Sequence, residues 1–283
     1  MKIIGVDVGG TKIEVALIDR MQIVKEYACP TPANQNKEIV INAVGDAIDK
    51  LFSPDIEGIG IGVPGLVDLE TNEVLDVLNI PSWDRVPLKQ ILESRFKRPV
   101  FVNNDANCFA TGEKYFGKGE SFRNFVGITI GTGLGVGIII NNHLYSGRYC
   151  GAGEFGAIYY LDKTIESYAS GQFFKDKNLA GSKIFKLAEN GDTIAIRLFN
   201  ELGIHIGRAI ANVLFTLATE AIVLGGSVSQ SYHLFESGMR FVLENEFPYQ
   251  RLYQSLRIEV SELKNSAVLG ASSLVIDALN FKK

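Results

Sequence analysis

One pattern constrains the fold more than any other feature, because the sequence contains it twice: a strand, a glycine-rich turn and a second strand. "IGVDVGGTKIEVALI" begins at Ile4 and "VGITIGTGLGVGIII" begins at Val126. When the two are superposed, Asp7 falls on Thr129, and the first glycine of each turn coincides. Short apolar matches are common, so two hairpins can look alike by chance. The alternative is a duplicated domain, in which each copy presents a hairpin tip to one ligand held between them.

Apolar residues elsewhere alternate between strand spacing and helical spacing. The segments "QIVKEYACP", "GIGIGVPGLVD", "PVFVNN", "AIVLGG" and "LRIEV" are predicted strands, since they are short, apolar and bounded by turn residues. Apolar stripes of helical period predict helices over 37–52, Leu88–Phe96, Ala106–Phe116, Thr193–Thr219, Tyr232–Glu246 and Ala267–Leu279. This mixture of helices and buried strands predicts an α/β protein.

The composition excludes several classes of protein. Hydrophobic residues make up 46% and charged residues 21% of the chain, enough for sizeable cores in one large or two ordinary domains. The net charge of −4 argues against broad affinity for nucleic acid or anionic membranes. Cys29, Cys108 and Cys150 form no CxxC pair, so we expect reduced thiols in a cytoplasmic protein. We expect no signal peptide and no membrane span.

The two glycine turns are candidate phosphate sites. In "DVGGT", Asp7–Thr11, glycines let backbone N–H groups approach a phosphate, and Asp7 could hold Mg²⁺ through water. The same residues also suit a simple tight hairpin. "GTGLGVG", Gly131–Gly137, resembles the dinucleotide-binding fingerprint, but a strand follows it and not a helix. A second phosphate-facing hairpin therefore fits better.

Two further motifs follow predicted strands. In "VNNDAN", Asp105 is either the N-cap of the next helix or a functional carboxylate at the carboxyl end of a strand, where open α/β proteins place their sites. In "AIVLGGSVS", the Gly-Gly pair is either a tight turn or a close approach to a nucleotide base or ribose.

The segment "GEFGAIYYLDKTIESYASG", Gly153–Gly171, sets Glu154 and Glu166 among glycines, aromatics and small residues. Glycines at this density predict a bent chain. The residues alone leave three roles open for the two carboxylates: solvated loop charges, metal ligands, or acceptors for the hydroxyl groups of a ligand.

The order of these motifs, from "DVGGTK" through "GVPGLVD", "NNDAN", "GITIGTGLGVG", "GAGEFG", "ESYASG" and "IVLGG" to "AVLGAS", resembles that of the ROK family (repressor, open reading frame, kinase). The resemblance covers essentially the whole chain. It implies two actin-like (ribonuclease H-like) α/β lobes with an inter-lobe active-site cleft. We predict an N-terminal lobe of residues 1–115 plus 267–283 and a C-terminal lobe of residues 116–266.

The resemblance also gives a role to each matching residue. It implies a first phosphate motif of Asp7, Gly9, Gly10, Thr11 and Lys12, a second of Gly131, Thr132 and Gly133, and an adenosine motif of Gly225 and Gly226. Asp105 matches the base that deprotonates the sugar hydroxyl. The implied sugar-binding positions are Gly65, Asn79, Asn104, Asp105, Glu154 and Glu166.

The chain departs from the family pattern after Glu154. Most members continue their glycine–glutamate motif with "GH" and then a cysteine-rich loop that holds structural zinc. Here Ala157 replaces the histidine, and residues 159–166 contain no cysteine or histidine. Four N or S ligands are typical of a structural zinc site, so we predict that this protein has none. Losing the histidine leaves the exact sugar open.

The resemblance implies an ATP- and Mg²⁺-dependent hexose kinase of glucokinase type, with a sugar 6-phosphate as product. The same chemistry on N-acetylmannosamine, N-acetylglucosamine, fructose or a β-glucoside is the main alternative. A sugar-sensing repressor is less expected, because the family's repressors carry an N-terminal helix-turn-helix module and the first phosphate strand here begins at Lys2. A nucleotide-switched binding protein like actin is a third class. We expect a cytoplasmic homodimer that binds sugar and ATP but neither nucleic acid nor membranes.

Overall fold

The computed structural model describes residues 1–77 and 79–280. The chain forms two compact units: unit 1 comprises Met1–Ser121, Gly137–Ala152 and Glu262–Lys283, and unit 2 comprises Phe122–Val136 and Gly153–Ser261. Relative to the predicted lobes, unit 1 gains residues 116–121, 137–152 and 262–266. Residues 281–283 of the predicted N-terminal lobe lie outside the described residues.

The strands, in chain order, are β1 Lys2–Val8, β2 Lys12–Asp19, β3 Gln22–Pro30, β4 Gly58–Val63, β5 Leu66–Asp68, β6 Glu73–Leu75, β7 Arg85–Val86, β8 Val100–Asn104, β9 Phe125–Ile130, β10 Leu134–Ile140, β11 His143–Leu144, β12 Tyr159–Tyr160, β13 Lys163–Thr164, β14 Ala221–Gly225 and β15 Arg257–Val260. The helices are α1 Lys37–Asp49, α2 Leu88–Phe96, α3 Asp105–Phe116, α4 Ile165–Ala169, α5 Gln172–Asp176, α6 Gly181–Glu189, α7 Thr193–Leu217, α8 Tyr232–Asn245, α9 Gln250–Ser255 and α10 Ser266–Asn280. The predicted α/β content is confirmed. No helix within the described residues has the length and apolar character needed to cross a membrane.

Unit 1 is built on a five-stranded sheet of order β3-β2-β1-β4-β8, in which β1, β4 and β8 are parallel. Helices α1 and α2 pack on the face that carries Ile4, and α10 packs on the face that carries Ile3. Both faces of β1 are therefore buried, which explains its continuous apolar sequence. A Cβ at Gly60 would overlap the carbonyl oxygen of Ala271, so glycine there lets α10 lie directly on the sheet.

The second sheet has the order β11-β10-β9-β14-β15. If the strands of each sheet are numbered 1 to 5 along the chain, both sheets have the order 3-2-1-4-5. The turns correspond as well, since three residues separate β1 from β2 and three separate β9 from β10. Chance likeness of two hairpins would not extend to three further strands. The shared order therefore supports a duplicated domain over chance likeness.

Strand β10 begins in unit 2 and ends in unit 1, where Ile140 pairs with His143 of β11. Hydrogen bonds hold the segment after β10 in unit 1. The Leu144 amide donates to Asp277 of α10 over 3.5 Å, and the Asn103 side chain donates to the Ser146 hydroxyl over 3.0 Å. These contacts explain why residues 137–152 belong to unit 1.

Candidate functional site

The structure at the junction between β8 and α3 decides between the two roles predicted for Asp105, helix N-cap or functional carboxylate. Asn104, and not Asp105, is the N-cap of α3: its Oδ1 accepts from the Ala106 amide over 2.9 Å. Its Nδ2 donates to the Gly65 carbonyl over 3.1 Å, which ties the "PG" turn to the start of the helix. Asp105 is the first helical residue, its Oδ1 accepts from the same Ala106 amide, and its side chain reaches solvent. The cap alternative for Asp105 was therefore wrong.

Two carboxylates of unit 1 have raised pKa values. Asp7 is partly buried in β1, and desolvation, then the charges of Asp105 and Glu14, raises its pKa to about 6 against the opposing effect of Lys12. Asp105 is exposed at the surface, but the protein around its carboxyl still desolvates it and raises its pKa, against the opposing effect of its backbone hydrogen bonds. A partly desolvated carboxylate next to other negative charges, such as Asp7, is typical of a functional site.

The first glycine turn is held by its carbonyl groups. The Gly9 amide donates to the Lys12 carbonyl over 3.0 Å, while Thr31 donates its hydroxyl to the Gly9 carbonyl over 2.7 Å and its amide to the Thr11 carbonyl over 2.9 Å. Lys12 pairs with Glu14 at 2.9 Å. Thr11 and Lys12 are exposed, so the tip of the turn faces solvent. Sequence reasoning missed Thr31, which lies outside any glycine motif.

Asn79 contacts the first turn. A Cβ at Gly10 would come within 2.6 Å of the Asn79 Cβ, so Gly10 is required for this close approach. The structure therefore brings Asn79 to the predicted phosphate turn, whereas the resemblance places it among the sugar-binding positions. Within unit 1 the structure brings Gly10 next to Asn79 and Gly65 next to Asn104, and the charge of Asp105 acts on Asp7.

Glu154 lies at the start of a 3₁₀ helix, Glu154–Ala157, and both end residues are exposed. Gly153 before it has a φ of +101°, a conformation that favours glycine. Cβ atoms at Gly153 and Gly156 would meet the carbonyl oxygens of Val136 and Leu134 in β10. The glycines of "GEFG" therefore let this segment lie against the strand that follows the second turn.

Glu166 is in the first turn of α4 and contacts the second glycine turn, Gly131–Gly133. Its Oε2 accepts from the Leu134 amide over 2.9 Å, and a Cβ at Gly133 would overlap this oxygen. The side chain is otherwise exposed. One carboxylate oxygen, Oε2, therefore accepts a hydrogen bond from the residue after the turn, and the other belongs to a side chain that is exposed.

A small hairpin, β12–β13, stands between these two glutamates, where the resemblance would place a zinc loop. Tyr160 joins it to α7, since its hydroxyl is 3.0 Å from Nδ1 of His205 and accepts from Arg208 over 3.1 Å. Burial lowers the pKa of His205, which favours the neutral ring. Among residues 1–77 and 79–280, no group of three or more His, Cys, Asp or Glu side chains could hold a metal ion. The absence of zinc stays a prediction.

Unit 2 contains a cavity of about 430 Å³ next to the second turn. Its lining includes Gly131, Thr132, Phe174, Lys175, Phe185 and Ser227. Gly226, just before Ser227, has a φ of +83°, and a Cβ there would lie 2.5 Å from the Ile130 carbonyl oxygen. The predicted adenosine motif therefore leads into this cavity. The lining from α5 and α6 was missed, because the sequence around Phe174 has no recognisable nucleotide motif.

A model of the ROK family matches residues 3–278. The chain belongs to the ROK family. A glucokinase of Halalkalibacterium halodurans is 30% identical over 96% of this chain and 94% of its own length. A xylose repressor of Caldicellulosiruptor bescii is also 30% identical, over 99% of this chain and 79% of its own length. The family thus contains both kinases and repressors among the relatives of this chain.

Solved structures agree with this assignment. A ROK family glucokinase from Streptomyces griseus, in complex with glucose and AMPPNP, has a TM-score of 0.80 and 30% identity over 97% of this chain and 99% of its own. A ROK hexokinase from Thermus thermophilus has a TM-score of 0.83 and 27% identity over 100% of this chain and 99% of its own. The predicted family and the actin-like α/β fold class are confirmed.

Proposed function

We propose that this ROK protein is an ATP-dependent sugar kinase that phosphorylates a hexose, with glucose as the first candidate and the 6-phosphate as product. The observation that carries the proposal is Asp105: a carboxylate at the carboxyl end of β8, open to solvent, with a raised pKa and with the N-cap role of α3 taken by Asn104. The likeness to glucokinases, one of them in complex with glucose and AMPPNP, supports it.

In this mechanism Asp105 accepts the proton of the sugar hydroxyl as that oxygen attacks the γ-phosphorus. The bond between the γ-phosphorus and the β–γ bridging oxygen breaks, and ADP leaves with the electron pair. A raised pKa makes Asp105 a stronger base than an ordinary aspartate, and general-base help is typically worth about 10²–10⁴-fold in rate. Asn104 and Gly65 fix the helix start that carries the base.

The two glycine turns suit the phosphates, since their glycines allow backbone N–H groups to approach an anion. The unit 2 cavity suits the adenosine, because Phe174 and Phe185 offer apolar surface. Mg²⁺ usually takes only one or two carboxylates beside substrate phosphates and water, so Asp7 alone can fit it despite the lack of a three-residue cluster among the described residues. When bound, Mg²⁺ would neutralise phosphate charge beside Asp7.

The test compares Asp105→Asn with the wild type over a panel of hexoses. Because Asn104 supplies the cap and the raised pKa shows that the Asp105 charge does not stabilise the fold, the variant should have a melting temperature no lower than the wild type and an ATP KM within about twofold. We expect kcat to fall by about 10²–10⁴-fold. Near-wild-type kcat in this variant would refute Asp105 as the base.

A second sugar class is favoured by Ala157, which is small and exposed at the end of the helix that Glu154 begins. A side chain smaller than the family's histidine at this position would accommodate a sugar with an added substituent, such as an N-acetyl group. A putative N-acetylmannosamine kinase from Listeria monocytogenes has a TM-score of 0.81 and 25% identity over 100% of each chain. Higher kcat/KM for N-acetylmannosamine than for glucose would select this alternative, and sugar binding without turnover would indicate a sensor. A cytoplasmic homodimer belongs to the proposal too, and light scattering tests the dimer.

A further inference from the structure

The second phosphate turn needs support from outside itself. Gly131, Thr132 and Gly133 connect β9 to β10, and one hydrogen bond, from the Gly131 amide to the Gly133 carbonyl over 2.9 Å, closes the turn. Glycine has access to more backbone conformations than any other residue, so fixing such a turn carries a large entropic cost. A turn that must present N–H groups to a phosphate gains from being held before the ligand arrives.

Helix α4 and its junction with α5 supply that support at three points. The Gly171 amide donates to the Gly131 carbonyl over 2.8 Å. The Ser170 hydroxyl is 3.0 Å from the Thr132 carbonyl oxygen, and the Leu134 amide donates to Oε2 of Glu166 over 2.9 Å. The turn is thus bonded at its first residue, at its middle residue and at the residue that follows it.

The supporting segment is itself fixed. The Ser170 side chain is fully buried, and its Oγ is also 2.7 Å from the Glu166 carbonyl oxygen, so one hydroxyl proton serves two carbonyls. The same Oγ accepts from the Gln172 amide over 3.1 Å. A Cβ at Gly171 would come within 2.7 Å of the Gly131 carbonyl oxygen. Ser170 and Gly171 of "ESYASG" are therefore small enough to lie against the Gly131–Gly133 turn and also form hydrogen bonds with it.

We propose that Glu166 and Ser170 are positioning residues for the nucleotide phosphates, acting through the Gly131–Gly133 turn. The inference rests on the proposed function, because it takes the turn to be a phosphate site. Glu166 holds the turn through Oε2, and its exposed carboxylate leaves the other oxygen for a hydroxyl group of the sugar. One side chain thereby connects sugar recognition to the geometry of the phosphate turn.

Nucleotide binding without sugar tests this separately from catalysis. AMPPNP affinity is measured calorimetrically with Mg²⁺ for the wild type and for Ser170→Ala, Glu166→Ala and Glu166→Gln. The loss of one neutral hydrogen bond corresponds to about a 3–10-fold change in affinity. We expect Ser170→Ala to weaken AMPPNP by that factor, and Glu166→Ala by at least as much, because the bond from the Leu134 amide to the Glu166 carboxylate is charge-assisted. Glu166→Gln should weaken AMPPNP less than Glu166→Ala does, since the amide oxygen can still accept from the Leu134 amide.

Ser167→Ala is the matched control, because Ser167 lies on the same helix but its hydroxyl contacts Thr164 at 3.2 Å and not the turn. It should bind AMPPNP like the wild type. Glu166 is exposed, so its variants should fold even if Ser170→Ala does not. Unchanged AMPPNP affinity in Glu166→Ala, with only sugar KM raised, would overturn the proposal. A wild type that binds AMPPNP but phosphorylates no sugar would refute the proposed function alone, and one that binds no nucleotide would refute both.

Discussion

Replacing Asp7 with asparagine should stabilise the ligand-free protein and abolish phosphoryl transfer. The pKa of Asp7 is raised to about 6, first by desolvation and then by the charges of Asp105 and Glu14. Its ionised form is therefore less favourable in the folded chain than in the unfolded one. Asparagine has nearly the same shape and carries no charge, so the variant escapes this penalty but also loses the proposed partner of Mg²⁺.

The size of the effect follows from the two pKa values. Below the unfolded pKa of 3.8 the carboxyl is neutral in both states, and as the pH rises through the folded pKa of about 6 the folded state loses stability. Each pH unit between the two values corresponds to about 1.4 kcal/mol, which gives a ceiling of about 3 kcal/mol at pH 7.5. Water reaches part of the side chain and screens it, so we expect a gain of about 2 kcal/mol at pH 7.5. The gain should shrink to below about 1 kcal/mol at pH 4.5.

Trp83 provides a fluorescence signal for the unfolding of unit 1. It is the one tryptophan of the chain and is fully buried in the core beneath the sheet that contains Asp7. Urea unfolding followed by its fluorescence at pH 7.5 and pH 4.5 reports the free energy of unfolding of unit 1. Asp19→Asn, at the other end of the same hairpin, is the control and should change neither value by more than about 0.5 kcal/mol. A gain of equal size at both pH values, or none at pH 7.5, would refute the electrostatic reasoning.

Three further outcomes are expected. Gly153→Ala should destabilise the protein by more than about 2 kcal/mol and raise sugar KM, because the new Cβ meets β10. Gly191 has a φ of +84° but nothing within 4 Å of a Cβ, so Gly191→Ala should cost only about 1 kcal/mol. Thermal or urea unfolding measures both values. Tyr160→Phe should lower the free energy of unfolding by about 1 kcal/mol, because it loses the hydroxyl contact to His205. The control Tyr159→Phe should leave the free energy of unfolding unchanged, since Tyr159 is 92% exposed. Equal effects of the two variants would contradict this role for the Tyr160 hydroxyl. Activity should disappear with EDTA, return with Mg²⁺ and survive zinc-selective chelation, and stoichiometric zinc in the purified protein by elemental analysis would contradict the predicted absence of a zinc site.

Much of the architecture was predictable because local periodicity and burial agree. The stripe of α7 predicts a helix over Thr193–Thr219, and the structure ends it at Leu217 because Ala218 adopts a left-handed conformation. Helix α2 has the predicted bounds, Leu88–Phe96. In both helices most of the apolar residues that define the period are buried, although Ile194 at the start of α7 and Ile91 of α2 are exposed. The sequence pattern and the tertiary structure therefore agree over most of each helix.

The unpredicted parts depend on contacts between distant residues. Nothing in the run "GVGIII" shows that β10 passes from one unit to the other, since that depends on hydrogen bonds made after it. The choice between Asn104 and Asp105 as the N-cap needed side-chain geometry, because both residue types cap helices well. Glu166 could be assigned to a ligand from its motif, but its bond to the Leu134 amide could not, as neither residue type specifies the other.

The discontinuity of unit 1 has a consequence for how the protein is made. The sheet that contains Asp7 is covered on one face by α10, which the ribosome synthesises only after all of unit 2. Unit 2 can therefore complete its core while the sheet of unit 1 still has an uncovered apolar face. Closing so long a connection is slow compared with local contacts. During that interval the nascent chain exposes apolar surface of the unit 1 sheet, which favours aggregation until α10 packs on it.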